Sequence, residues 1–134
     1  MFFKSFTSKI KQSSLLLIII TICYMIAIIF LFISKNAGFP GETGSLINNI
    51  LHVPIFFILI FLYLMCLNSL NLLSVRISYL CALFLAIIFS LLIEYFQSHM
   101  FYRTASFIDL FFNFIGIILA LMIYKKYYYY FQKY

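Results

Sequence analysis

Four stretches of this chain are almost uninterruptedly apolar, Leu15 to Ile33, Leu51 to Leu67, Ile77 to Ile93 and Phe107 to Tyr124, and the polar residues collect between them. At about 1.5 Å of helical rise per residue each stretch covers roughly 25–29 Å, close to a hydrocarbon core of about 30 Å, with flanking polar residues making up the rest. The pattern therefore predicts four transmembrane helices. Ser34 to Gly44 concentrates three of the four glycines, one of the two prolines and Glu42, and reads as a loop. Asn68 to Arg76 reads as a tight turn, and residues 98–106 as the connection into the last span. His52 stands at the entrance of the second span, with Pro54 two residues on, in a first turn where a missing amide hydrogen costs nothing. The basic start, Met1 to Ser14, precedes an apolar run longer than the roughly 7–15 residues of a cleavable leader, so it reads as a retained anchor.

Composition sharpens this reading. Hydrophobic residues make up 66% of the chain and charged residues 9%, where ordinary globular domains carry about 25% charged. An all-α membrane protein forming a single domain over residues 1–134 is the expected class. The net charge of +6 would suit nucleic acid, but the bases lie outside the apolar runs, where they act as topology signals. No nucleic-acid partner is expected; membrane lipid is. Four short helices leave much apolar surface, so oligomers are compatible with the pattern. Cys23, Cys66 and Cys81 fall within or beside apolar runs without CxxC spacing, and read as small core or lipid-facing residues. Tyr124 and Tyr127 to Tyr130 supply an interfacial aromatic belt.

With four spans, both termini and the loop between spans two and three share a side. That side carries Lys4, Lys9, Lys11, Arg76, Lys125, Lys126 and Lys133, against Lys35 and Arg103 on the other. The excess places both termini in the cytoplasm. Glu42, Glu94 and Asp109, together with His52, His99 and Arg103, then gather at the outer boundary.

The chemistry is concentrated between Ser90 and Gly116. Glu94 and Gln97 lie three apart at the end of one apolar run, and Asp109, Asn113 and Gly116 fall at i, i+4 and i+7 at the start of the next, so each set shares a helical face. A carboxylate at the bilayer centre costs roughly 2.5–3.5 kcal/mol on insertion scales, so such groups face a bundle interior, a polar cavity or a partner. Arg103 is placed to pair with them. The expected cluster is His52, Glu94, Gln97, Arg103, Ser106, Asp109 and Asn113, with Asn113 bonding across to Glu94 or Gln97 and Gly116 a close-packing position. Two readings stand side by side: an outward polar pocket that binds a polar or anionic ligand, or a charged clamp that only fixes helix spacing in a noncatalytic scaffold or small subunit. Whether the chain is an enzyme stays open. Glu94 or Asp109 could serve as a general base with Arg103 holding an anion, yet no nucleophile and base stand at a recognisable spacing. His52, Glu94 and Asp109 show no HExxH-like arrangement, so no metal or cofactor is expected. His99 reads as a loop residue. An ion pathway would need polar groups through the membrane, and the spans carry almost none in their inner halves.

From Glu94 onward the pattern is Glu-x-x-Gln, an aromatic linker, Arg103, Ser106 and then Asp-x-x-x-Asn-x-x-Gly, with His52 entering the preceding hairpin. This resembles the VanZ-like family of small bacterial membrane proteins over about residues 45–123, the first span matching in character alone. The chain departs from the family pattern at Asn48 and Asn49, where Asp-Lys is frequent, and at Phe101 and Tyr102, where Pro-Gly precedes the arginine. The resemblance implies a multi-pass protein of the bacterial cytoplasmic (inner) membrane and cell envelope, in a family whose named member is associated with resistance to the glycopeptide teicoplanin. A cell-wall precursor, a lipid head group or a glycopeptide antibiotic is the ligand class it implies. It supplies no mechanism.

Overall fold

The computed structural model describes residues 2–34, 41–70, 73–100 and 106–132, with side chains over 14–34, 46–70, 73–100 and 106–126. The described chain is helical throughout: α1 (Phe2–Ile33), α2 (Gly41–Ser69), α3 (Val75–Ser98) and α4 (Phe107–Gln132). Each contains a stretch long and apolar enough to cross a membrane: Ser14–Ile33, Leu46–Ser69, Val75–Ser98 and Phe107–Lys126. Many large apolar side chains, among them Phe30, Phe84, Leu80, Phe111 and Met122, lie exposed on the outside of the bundle. Lipid rather than water suits such a surface, since backbone groups in these segments are satisfied within each helix.

The helices run past the apolar stretches that announce them. The expected loop Ser34 to Gly44 is already helical from Gly41, so His52 lies well inside α2 and Pro54 is an interior proline. This corrects the placement of both residues in a first turn. A proline there removes the amide that would bond to the carbonyl of Ile50, a loss that membrane helices tolerate when neighbouring helices supply compensation. Likewise Asn68 and Ser69 belong to α2, Val75 and Arg76 to α3, and α4 continues through the tyrosine run to Gln132. Lys35, Phe101, Tyr102 and Arg103 lie outside the described residues, as do the side chains of Glu42 and Tyr127 to Tyr130.

α2 is the central helix and touches the other three, most extensively α4; among the described residues α1 meets α2 and α3 but not α4. The core is built from Phe56, Leu59, Ile60 and Leu64 of α2, Ala82, Ala86 and Ile93 of α3, and Ile117 and Ala120 of α4, all fully or nearly fully buried. On α3 the inward stripe is small at its start (Ser78, Ala82, Ala86) and polar at its end (Ser90, Glu94, Gln97). Small residues let helices approach in lipid, where packing and hydrogen bonds replace the hydrophobic drive.

At the end where α2 stops, Asn68 Nδ2 donates to Tyr124 Oη at 3.0 Å and Ser14 Oγ donates to the Ser69 carbonyl at 3.1 Å. Tyr124 is half-buried and presents ring edges to Phe61 and Tyr79, with centroids at 5.4 and 5.9 Å, so it packs within the bundle. Along α1, Tyr24 Oη donates to the Ile55 carbonyl at 3.0 Å, tying α1 to α2 one residue past the proline. Cys23 faces outward, and Cys66 and Cys81 are half-buried free thiols.

Candidate functional site

The opposite end of the bundle collects the polar residues. His52 of α2, Glu94 and Gln97 of α3, and Asp109 and Asn113 of α4 are 3%, 6%, 2%, 8% and 1% exposed. Helical spacing explains the convergence on α4: Asp109, Asn113 and Gly116 face α2 on successive turns, and Gly116 sets the distance. A Cβ at Gly116 would collide with the Val53 carbonyl oxygen and sit 3.1 Å from the Phe57 amide nitrogen, so only glycine lets the parallel α2 and α4 lie this close.

That approach brings His52 into the cluster. Its Nδ1 lies 2.7 Å from Asn113 Oδ1, and its Nε2 lies 3.9 Å from Asp109 Oδ1, a charge-pair distance too long for a direct hydrogen bond. The ring packs on Phe32 of α1, with centroids 4.5 Å apart. Asn113 Nδ2 donates to Ser90 Oγ at 2.7 Å, extending the connection into α3. The expected bond from Asn113 to Glu94 or Gln97 is thus replaced by bonds to His52 and Ser90. Gln97 instead donates from Nε2 to the Phe32 carbonyl at 3.3 Å, one of the carbonyls that a helix C-terminus leaves open.

Ser106 performs a helix-capping task. Its hydroxyl accepts the Ile108 amide at 3.1 Å, and its carbonyl accepts the Asp109 amide at 3.0 Å. Its own amide donates to Glu94 Oε2 at 3.2 Å, so Glu94 ties the end of α3 to the start of α4. Ser106 and Asp109 have the Ser-x-x-Asp spacing of a capping box, and an acid in the first turn suits the positive end of the helix dipole. His99 caps α3: its ring Nδ1 lies 2.8 Å from the Tyr95 carbonyl, and it is exposed.

Six of the seven expected cluster residues therefore lie at one end of the bundle, with Arg103 outside the described residues. His52 and Asn113 are joined directly, with Asp109 3.9 Å from the other ring nitrogen; Gln97 reaches the group through Phe32, and Glu94 and Ser106 are joined to each other. Ser90 was missed. It sits in an apolar run where serine is unremarkable, yet Ser90, Glu94 and Gln97 fall at i, i+4 and i+7, the spacing that singled out the face of α4. Ser90 also lines a cleft of about 360 Å³ between α3 and α4, whose other walls, including Ile87, Leu91, Phe107 and Phe111, are apolar. Among the described residues, no three His, Cys, Asp or Glu side chains converge as metal ligands would.

The VanZ/LLP1 family model matches residues 1–130, which extends beyond the motif-bearing stretch and takes in the first helix. No curated protein and no solved structure matches the chain.

Proposed function

This chain belongs to the VanZ/LLP1 family, and from that premise we propose that it is a multi-span protein of the bacterial cytoplasmic membrane whose His52 end faces outward and binds a polar group of an envelope ligand. A lipid head group, a lipid-linked cell-wall precursor and a glycopeptide all reach that face. The observation that carries the reading is the buried set of His52, Asp109 and Asn113, in which α2 meets α4 through the His52–Asn113 contact with Asp109 3.9 Å from the ring, while Glu94 is buried at the same end of the bundle. Ionisable groups within spans are rare and functional by default. Arg103, in the connection between α3 and α4, supplies the cation for an anionic head group.

A second reading is a noncatalytic scaffold in which the same residues only hold helices together. It draws on the internal bonding of the cluster, Asn113 to His52 and Ser90, and Glu94 to the Ser106 amide. Separate Glu94→Gln, Asp109→Asn and Arg103→Met variants distinguish the two. The ligand reading expects wild-type membrane abundance and monodispersity with at least tenfold weaker binding of a fluorescent lipid-linked wall precursor in nanodiscs. Loss of folded protein in all three, or unchanged binding, favours the scaffold.

Orientation has its own test. In a background with Cys23, Cys66 and Cys81 replaced by alanine, His99→Cys is expected to react with a membrane-impermeant maleimide in intact cells, and Arg76→Cys only after permeabilisation. Both native residues are exposed, so the readout reports side and not burial. The reverse labelling would turn the bundle over and remove the cluster from the envelope face.

A further inference from the structure

α4 is drawn against α2 at Gly116, and two polar ties join it to α3. Near the start of α4 the Ser106 amide donates to Glu94 Oε2 at 3.2 Å, and deeper in the bundle the Asn113 side-chain amide lies 2.7 Å from Ser90 Oγ. Beside these ties opens the cleft of about 360 Å³, within the range of about 300–1,000 Å³ usual for sites that take a small molecule. Phe107, Leu110, Phe111, Phe114 and Ile117 form its α4 wall, and Ile87 and Leu91 face them from α3. Ser90 is the polar member of the lining, and its oxygen is turned to Asn113. The walls therefore suit an apolar occupant. Leu91, Phe107, Phe111 and Phe114 are exposed on the outside of the bundle, so the cleft opens sideways, toward lipid.

Depth sets the kind of occupant. Ile87 and Ile117 stand at the middle of their candidate spans, Val75–Ser98 and Phe107–Lys126, whereas Phe107 stands at a span boundary. From Phe107 to Ile117 the helix rises roughly 15 Å, half of a hydrocarbon core of about 30 Å. The cleft thus occupies a single leaflet, the one at the His52 end. That is the depth of one phospholipid acyl chain, whereas a polyprenyl chain would have to continue beyond it. We propose that this cleft is a binding site for one acyl chain of a bilayer phospholipid, with the head group at the level of Ser106. Within lipid the hydrophobic effect favours no position of the chain over another, so selectivity comes from dispersion contacts. Walls from two helices contact the chain on more sides than the convex face of one helix does. The inference goes beyond the reading of the polar cluster and does not rest on it, because only the walls, mouth and depth of the cleft carry it.

The chain contains no tryptophan, so one introduced indole is a unique reporter. Phe111→Trp places it in the cleft wall, and Phe30→Trp places it on the exposed face of α1, at a similar distance from the same end of the bundle. Each full-length variant is purified in dodecyl maltoside and titrated with phosphatidylglycerol brominated on its oleoyl chain, whose bromines quench indole on contact. The expected result is half-maximal quenching of Phe111→Trp at a micellar mole fraction at least tenfold below that of Phe30→Trp, reversed by excess unbrominated phosphatidylglycerol. Phe114→Trp, in the same wall, is expected to follow Phe111→Trp and takes its place where that variant does not fold. Coinciding curves for the cleft and α1 reporters would overturn the site, leaving ordinary boundary lipid. Displacement by polyprenyl phosphate at a lower mole fraction than by phosphatidylglycerol would overturn the occupant. Cleft reporters that stay unquenched while the protein migrates as a dimer would assign the cleft to a second copy and overturn the proposal equally. None of these measurements involves Glu94, Asp109 or Arg103, so failure of the binding proposal for the polar cluster leaves this test intact.

Discussion

Alanine at position 116 is expected to destabilise the folded bundle by about 1–3 kcal/mol, the usual range for overpacking, and valine by more. The reason is what the added carbon meets. The Val53 carbonyl oxygen and the Phe57 amide nitrogen are backbone atoms of α2, so no side chain can rotate aside, and α4 must back away. That movement acts first on the turns nearest Gly116, lengthening the 2.7 Å contact between His52 and Asn113. Unfolding of purified protein in mixed micelles checks the stability, with alanine and valine compared against wild type. Midpoints that stay at the wild-type value for both variants would exclude close backbone contact between α2 and α4.

Asn113→Leu is the second large effect. It removes both hydrogen bonds of the amide at once and leaves His52 Nδ1 and Ser90 Oγ without those partners in a buried setting. Each buried group left unsatisfied costs about 1–3 kcal/mol in soluble proteins. Inter-helix hydrogen bonds in one well-studied membrane bundle average only about 0.6 kcal/mol, because chains not yet packed still find partners in the membrane. The network geometry decides where this case falls. Asn113 is the shared middle member, so its loss is expected to exceed that of Ser90→Ala, and the double variant to cost no more than Asn113→Leu alone. Strictly additive losses, measured by the same unfolding assay, would mean that the two bonds do not act together.

Much of this arrangement was legible from spacing alone. The face of α4 carrying Asp109, Asn113 and Gly116 follows from helical periodicity, and the expense of burying polar groups in lipid sends that face toward α2. The four helices follow from apolar run length. Their ends did not, because Gly, Glu and Asn can extend a helix beyond the apolar boundary, and α2 accordingly begins at Gly41 and carries Pro54 in its interior. Partner choice was equally hidden. Periodicity puts Asn113 on a face but does not say that Ser90, rather than Glu94, stands opposite, since this depends on how α3 is rotated. Tyr124 had the composition of an interface anchor, yet Asn68 and Phe61 draw it into the packing.

The separation in sequence between His52 and its partners also has a consequence for how the protein is made. Asn113 follows His52 by 61 residues, so at about 5–20 residues per second of synthesis the histidine waits roughly 3–12 s in the nascent chain before its partner exists. Phe32 has been synthesised by then, and its ring can shelter the imidazole as the first hairpin leaves the ribosome. The last helix to emerge is therefore the one that completes the cluster, and a chain arrested before residue 109 enters the bilayer with its histidine lacking both partners on α4.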